Sequence, residues 1–331
     1  MRRTAKMEKS AEIATIRGYH SRQTAPKKLF TSDRFIPLDD NYLAMAVVQK
    51  DKRTGREKVV RPAGMPFKGY GIEVETEVFG SMQASVYAEV LDKVILAHFP
   101  NDLWKIERDG SLGYGAGATT SAELITQIMT KEFIRNHYAE FKLMYNTYFP
   151  AFDISCTRTG SCGMHVNVSN YCFGQAPAAR ETAIRKLHYI INHHYDLFCT
   201  ALMRDRRVTS YCKRDRRDSK VIDLYNIHDD RYIAVNFEHC AYAAENGRVE
   251  IRIVGGQKNF ASFRNTMEVV FHLVERVKDI SWKDCDNVTA IFDGCNNYVF
   301  DRLTLCAREN TISVNDIETI RPTVKQVDYL R

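Results

Sequence analysis

The chain has 331 residues, 44% of them hydrophobic, and a formal net charge of +6. That is enough apolar material for one large domain or two small ones, and too evenly spread for a run of 18 apolar residues, which argues against a membrane span. Nine scattered cysteines with no Cys-x-x-Cys pair argue against a disulfide framework or a structural zinc, and fit reduced thiols in a cytoplasmic protein.

Residues 1–63 carry 15 Lys and Arg against 7 Asp and Glu, a balance of +8, while the other 268 residues carry 32 against 34. The basic character therefore belongs to an N-terminal extension, read as a partly flexible, solvated arm. No apolar stretch follows its basic start, which argues against a secretory signal. Such an arm could meet nucleic acid or an acidic protein face, although no interleaved aromatics and no DNA-reading motif support nucleic acid. Within it, the apolar run 42–48 and Glu57-Lys58-Val59-Val60 flank a turn at residues 51–56 and read as a hairpin.

A strongly patterned strand is expected at 70–78. Ser81 is read as the cap of a helix reaching His98, with Val86, Val90, Val94 and Ala97 on its apolar face. A strand follows at Leu103–Glu107, then a turn at Arg108-Asp109-Gly110-Ser111 and a glycine-rich loop, Gly113-Tyr114-Gly115-Ala116-Gly117. Next come a short strand holding Glu123, a helix from about Gln127 to Asn146, and a strand at 163–169. Pro177 opens a long helix to about 203. The charged stretch 204–220 reads as loop, and 233–237 and 249–254 as paired strands joined by a turn at 241–247. Ser262 is read as the cap of a helix to Lys278, and Tyr298–Arg308 is helical. Several strands show one polar and one apolar side. This favours α+β with a largely antiparallel sheet over a doubly wound parallel one, whose strands would be continuously apolar. No Gly-x-Gly-x-x-Gly or Walker A motif occurs.

The chemistry lies on the polar sides of three strands. Glu73, Glu75 and Glu77 alternate with Val74 and Thr76; His165, Asn167 and Ser169 alternate with Val166 and Val168; Glu250 and Arg252 alternate with Val249, Ile251 and Ile253. Carboxylates at i and i+2 emerge about 7 Å apart and repel by roughly 2 kcal/mol at an effective dielectric near 20. One such strand alone is an ordinary solvated face. Carboxylates accompanied by an imidazole and a guanidinium are instead the donor set for a hard or borderline divalent cation that also holds phosphates.

The segment Gly163-Met164-His165-Val166-Asn167-Val168-Ser169 resembles a signature of the glutamine-synthetase superfamily. Glu73-Val74-Glu75 resembles its first metal-binding strand, and Arg248-Val249-Glu250-Ile251-Arg252 its Arg-x-Glu-x-Arg segment. Within that superfamily the chain is most similar to the putative amidoligase family of carboxylate–amine ligases. Trp104 with Asp109-Gly110-Ser111, Glu123-Leu124-Ile125-Thr126, Arg207 with Tyr211-Cys212, and Arg231-Tyr232 with Asn236 resemble further blocks of it, in order, over residues 69–275. Asn167 stands where some relatives carry a second histidine, and Gln127 where the family has proline.

The resemblance implies a glutamine-synthetase-like core over 64–280, a largely antiparallel curved sheet with helices on one face, and a helical C-terminal extension over 281–331. It implies ATP- and Mg²⁺-dependent joining of a carboxylate to an amine, each from a small molecule, peptide or protein, through an acyl phosphate. Glu73, Glu75, Glu123, His165 and Glu250 would hold Mg²⁺, and Arg252 the transferring phosphoryl group. Arg207, Lys213 and Asn236 would serve the nucleotide, Arg207 also the reaction, and Asp109 would orient or deprotonate the amine. The alternatives are a non-catalytic binding module that keeps the fold, a phosphotransferase of related fold, and a nucleic-acid binder acting through the basic arm.

Overall fold

The structure, a computed structural model, describes residues 47–50, 57–60, 68–79, 84–99, 103–107, 118–157, 162–205, 210–224, 232–238, 240 and 247–320. β1 (Val47–Lys50) and β2 (Glu57–Val60) pair antiparallel, while residues 42–46 of the expected first strand and its turn at 51–56 lie outside the described residues. The larger sheet has seven strands. They are β3 (Tyr70–Phe79), β4 (Trp104–Glu107), β5 (Ala118–Thr126), β6 (Ile154–Ser155), β7 (Met164–Ser169), β8 (Val235–Asn236) and β9 (Arg248–Ile251). Their order is β4-β5-β3-β7-β9-β8, with β6 pairing β3 beyond the end of β7, and every pairing is antiparallel. The fold is thus α+β, as expected. The sheet is open and uncurled rather than curved; β6 and β8, two residues each, leave little ladder to roll it.

One side of the sheet is apolar for the reason the alternation gave. Ile72, Val74 and Val78 of β3, Leu124 of β5, Met164, Val166 and Val168 of β7, and Val249 and Ile251 of β9 are all buried in one cluster with helix side chains. The helices on this side are α1 (Ala84–Val90), α2 (Lys131–Asn136), α3 (Tyr138–Leu143), α4 (Pro177–His193), α5 (Tyr195–Ala201), α6 (Phe260–Asp279) and α7 (Asn297–Arg308). Tyr70 of β3 meets Phe271 of α6 edge-on at 4.7 Å, and Trp104, Phe141 and Phe263 link β4, α3 and α6. Val299, Leu303 and Cys306 of α7 enter the same cluster. All nine cysteines are free thiols, and no helix among the described residues is long and apolar enough to cross a membrane.

Several element boundaries differ from expectation. Residue 81 lies outside the described residues, and the helix at 84–90 continues as a π turn (Leu91–Ile95) and a 3₁₀ turn (Leu96–His98). Its buried stripe is Tyr87, Val90, Leu91 and Ile95, not Val86, Val94 and Ala97. The larger side chains win the inward face because they remove more apolar area from water, and Tyr87 also donates to Thr76 Oγ1 at 2.6 Å. Gln127 stays extended, bonded to Leu103 O, and Met129 pairs with Tyr70, so α2 begins only at Lys131 behind a Thr130 cap. The long helix predicted over 177–203 breaks at His194. Asn259, not Ser262, caps α6; its side chain accepts from Ser262 N. The turn predicted at 241–247 lies outside the described residues up to 246.

The charged stretch 210–224 is irregular, yet it is firmly tied down. His188 of α4, fully buried, has Nδ1 2.7 Å from Ser219 Oγ and Nε2 3.0 Å from Asp215 Oδ2. Asp215 N donates to Asn192 Oδ1, and Arg217 closes a fork on the Asp215 carboxylate. The serine, histidine and aspartate are all buried, and the trio ties the loop to α4. Burial pushes the Asp215 carboxyl up, but hydrogen bonds from His188 and Arg217 outweigh it and hold it far below the ordinary carboxylate range. Its folded pKa is below the unfolded value near 3.9, so its stabilisation is complete above about pH 4 and is lost as the pH falls further. Asp215→Ala should lower stability at neutral pH by about 3–5 kcal/mol in urea unfolding and flatten the acid limb of the pH–stability curve.

Candidate functional site

The register of the sheet turns the three polar strand faces into one surface. Glu73 lies opposite His165, and Glu75 opposite Glu123. Asn167 lies opposite both Gly71 and Glu250, and Glu250 opposite Asn236. Because side chains of paired residues emerge on the same side, β5, β3, β7, β9 and β8 all contribute to it. This face is far from open. Glu75, His165, Asn167, Glu250 and Asn236 are buried, and Glu77 is fully so. The β7 strand is buried on both sides, where a solvated polar face would be exposed.

His165 is the centre of the cluster. Its Nδ1 lies 3.0 Å from Glu73 Oε2 and 3.3 Å from Glu250 Oε1, and its Nε2 lies 3.7 Å from Glu75 Oε1. Asn167 donates to Glu73 Oε1 at 2.7 Å and accepts from Arg248 Nε at 3.0 Å. Glu250 accepts from Arg252 Nη1 at 2.6 Å and from Asn236 Nδ2 at 2.8 Å. Burial pushes the His165 imidazole down, but its hydrogen bond to Glu73 and the charges of Glu75 and Glu250 outweigh that and raise it above 6.5. Burial likewise pushes the Glu73 carboxyl up, while His165, Asn167 and Arg248 hold it at about 2. Glu73 is thus held ionised beside an imidazole that favours its charged form.

Of the five expected metal ligands, Glu73, Glu123 and His165 each offer one ligand atom, all within 4.8 Å of one another. Ligand atoms about 2.1 Å from a small divalent cation lie ~3 Å apart in cis and ~4.2 Å in trans, so a modest side-chain rotation closes this shell. Two carboxylate oxygens and one imidazole nitrogen are groups that a divalent cation could take as ligands, in competition with the imidazole proton. The other two expected ligands flank His165 with partners of their own: Glu75 accepts from Gly163 N, and Glu250 is held by Arg252 and Asn236.

Arg252 and Asn236 therefore join the cluster through Glu250. Lys213 joins the sheet edge by its backbone, donating to Tyr232 O and accepting from Ala234 N, and its side chain is exposed. Asp109 and Arg207 lie outside the described residues. Three contributors were not assigned from the sequence. Arg248 and Asn167 share the parity of Glu250 and His165, which could have found them. Arg204, read as one of a run of loop charges, is buried and donates through Nη2 to the carbonyls of Arg252 and Val254, each at 2.9 Å. That role is set by the turn after α5 and leaves no sequence pattern.

Comparison of the chain with protein-family models and with curated proteins gives no match.

Gly163 ties these parts together. Its N–H donates to the Glu75 carboxylate, and its carbonyl accepts from Glu75 N at 3.1 Å. A Cβ here would lie 2.8 Å from Arg204 Nη2 and 3.2 Å from Glu75 Oε2. Both atoms are held by hydrogen bonds, so neither yields freely. Gly163→Ala should cost about 1–3 kcal/mol in urea unfolding and weaken stabilisation by Mg²⁺ or Mn²⁺. A variant as stable as wild type would show that the Arg204 guanidinium can leave its two carbonyls without cost.

Proposed function

We propose that the chain is an ATP- and Mg²⁺-dependent carboxylate–amine ligase with a glutamine-synthetase-like core, of the amidoligase type. The observation that carries this reading is the convergence of Glu73, Glu123 and His165 to within 4.8 Å, beside a Glu250–Arg252 pair on the adjacent strand. A cluster of ionised carboxylates closed by one imidazole holds a divalent cation. A guanidinium at its edge, already oriented by a carboxylate, is placed to neutralise phosphoryl oxygens. Antiparallel pairing of the three motif-bearing strands β3, β7 and β9 in adjacent positions also supports the resemblance.

On this reading Glu73, Glu123 and His165 hold the metal, with Glu75 and Glu250 completing its surroundings. The metal, when bound, supplies charge neutralisation to the triphosphate. Arg252 binds the transferring phosphoryl group. Asn236 fixes Glu250 and so orients Arg252; Asn167, linked to Arg248, fixes Glu73. Lys213 and Arg207 serve the nucleotide or the substrate carboxylate, and Asp109 the amine. The substrate carboxylate oxygen attacks the γ-phosphorus and releases ADP, giving an acyl phosphate. The amine nitrogen then attacks the acyl carbon, loses a proton and expels phosphate. The protein's contribution is position and electrostatics.

Glu73→Gln and Glu250→Gln should each abolish Mg-ATP turnover, by about 10²-fold or more, while leaving the thermal unfolding transition cooperative. Unchanged turnover in both would sink the metal assignment. Hydroxylamine added with ATP and a competent acid should give a hydroxamate. ATP turnover without hydroxamate would point instead to direct phosphotransfer.

A further inference from the structure

Arg252 is not isolated at the edge of the buried cluster. Its guanidinium carbon lies 6.0 Å from the ring centroid of Tyr232, and Tyr232 meets Tyr211 at 5.6 Å, the rings 74° apart. Exposure rises along this line: the Arg252 side chain is 13% exposed, Tyr232 partly buried, and Tyr211 40% exposed. Tyr211 is the one aromatic among the exposed large hydrophobic residues described. The segment that carries it is tied to its neighbours. Tyr211 O accepts from Arg252 Nε at 3.4 Å, Lys213 bridges Ile233, and the buried Asp215–His188 pair anchors the following turn. An exposed tyrosine ring, with only two side-chain torsions to fix, offers contact area at little cost in conformational entropy.

We propose that Tyr211, steadied by Tyr232, is the platform on which the planar base of a nucleoside triphosphate stacks. This rests on the nucleotide reading above and extends it to the far end of the ligand. The line runs outward from a half-buried guanidinium to an exposed ring, in the order a nucleotide presents its own groups from terminal phosphate to base. A phosphoryl group at Arg252 leaves the base to travel toward the surface, and Tyr232 and Tyr211 lie in that direction. The neighbouring exposed cation, Lys213, suits the phosphates between them. Recognition by a ring face is tolerant of base identity, so purine triphosphates are expected to bind alike.

The test is calorimetric titration of the full chain with Mg-ATP and, separately, with magnesium tripolyphosphate, which has the phosphates and no base. Wild type should bind ATP more tightly than tripolyphosphate by about tenfold. Tyr211→Phe should keep that preference. Tyr211→Ala should lose about tenfold on ATP and nothing on tripolyphosphate. Its ring is solvent-exposed, so the fold should survive, and an unchanged thermal transition would confirm that. ATP affinity unchanged in Tyr211→Ala, or both ligands weakened equally, would overturn the platform while leaving nucleotide binding intact. Wild type that binds neither ligand would overturn the platform together with the nucleotide reading.

Discussion

Carboxylates on adjacent strands cannot be buried without positive charge among them, and the sheet of this protein is arranged around meeting that demand. Glu73, Glu75 and Glu250 surround one imidazole at 3.0–3.7 Å, and Arg248 and Arg252 close the cluster from β9. Desolvation alone would drive the Glu73 carboxyl toward the neutral form. The hydrogen bonds and cations outweigh it, which is why Glu73 sits at about 2 and His165 rises. His165 thus sets an imidazole that favours its charged form among the carboxylates.

The rest of the fold holds that face still. Beneath it, the apolar side of the same strands packs on α4 and α6, so each residue of β7 is committed to one side or the other, and a one-residue slip would bury Met164 and Val166 among the carboxylates. Another buried carboxylate, Glu268, ties the helices beneath together by accepting from Arg135, Tyr138 and Asn296. At the β8 edge, the Asp215–His188 pair and the Lys213 bridge fix a charged loop that would otherwise be solvated and mobile. The two ends of the site therefore rest on different foundations, one on sheet register and one on a side-chain anchor.

The strands were legible because alternation is a local property. Glu73 and Glu75, His165 and Asn167, and Glu250 and Arg252 announce their shared face by spacing alone, and the structure puts each pair where the period of two requires. Helix boundaries were less legible, since caps and breaks depend on neighbours. Asn259 took the cap from Ser262, His194 split a helix that periodicity reads as continuous, and Tyr87 with Leu91 claimed the inward face that Val86 and Ala97 were expected to fill. Arg204 illustrates the limit most sharply. In sequence it is one charge in Arg204-Asp205-Arg206-Arg207, and only the turn behind α5 brings it to the carbonyls of β9's continuation.

By itself, the sequence determined the α+β class, the one-sided character of β3, β7 and β9, and most of the groups that face the cluster, because side-chain chemistry and a period of two need no partner. What only the tertiary structure decided was which strands are neighbours, and hence which charges meet. Strand order set Glu123 beside Glu75 and His165 beside Glu73, so that three of the five expected ligands converge while Glu75 and Glu250 take hydrogen bonds from Gly163, Asn236 and Arg252. It also decided that the polar face is buried. Burial is a property of what packs above a strand, and no alternation along the strand can report it.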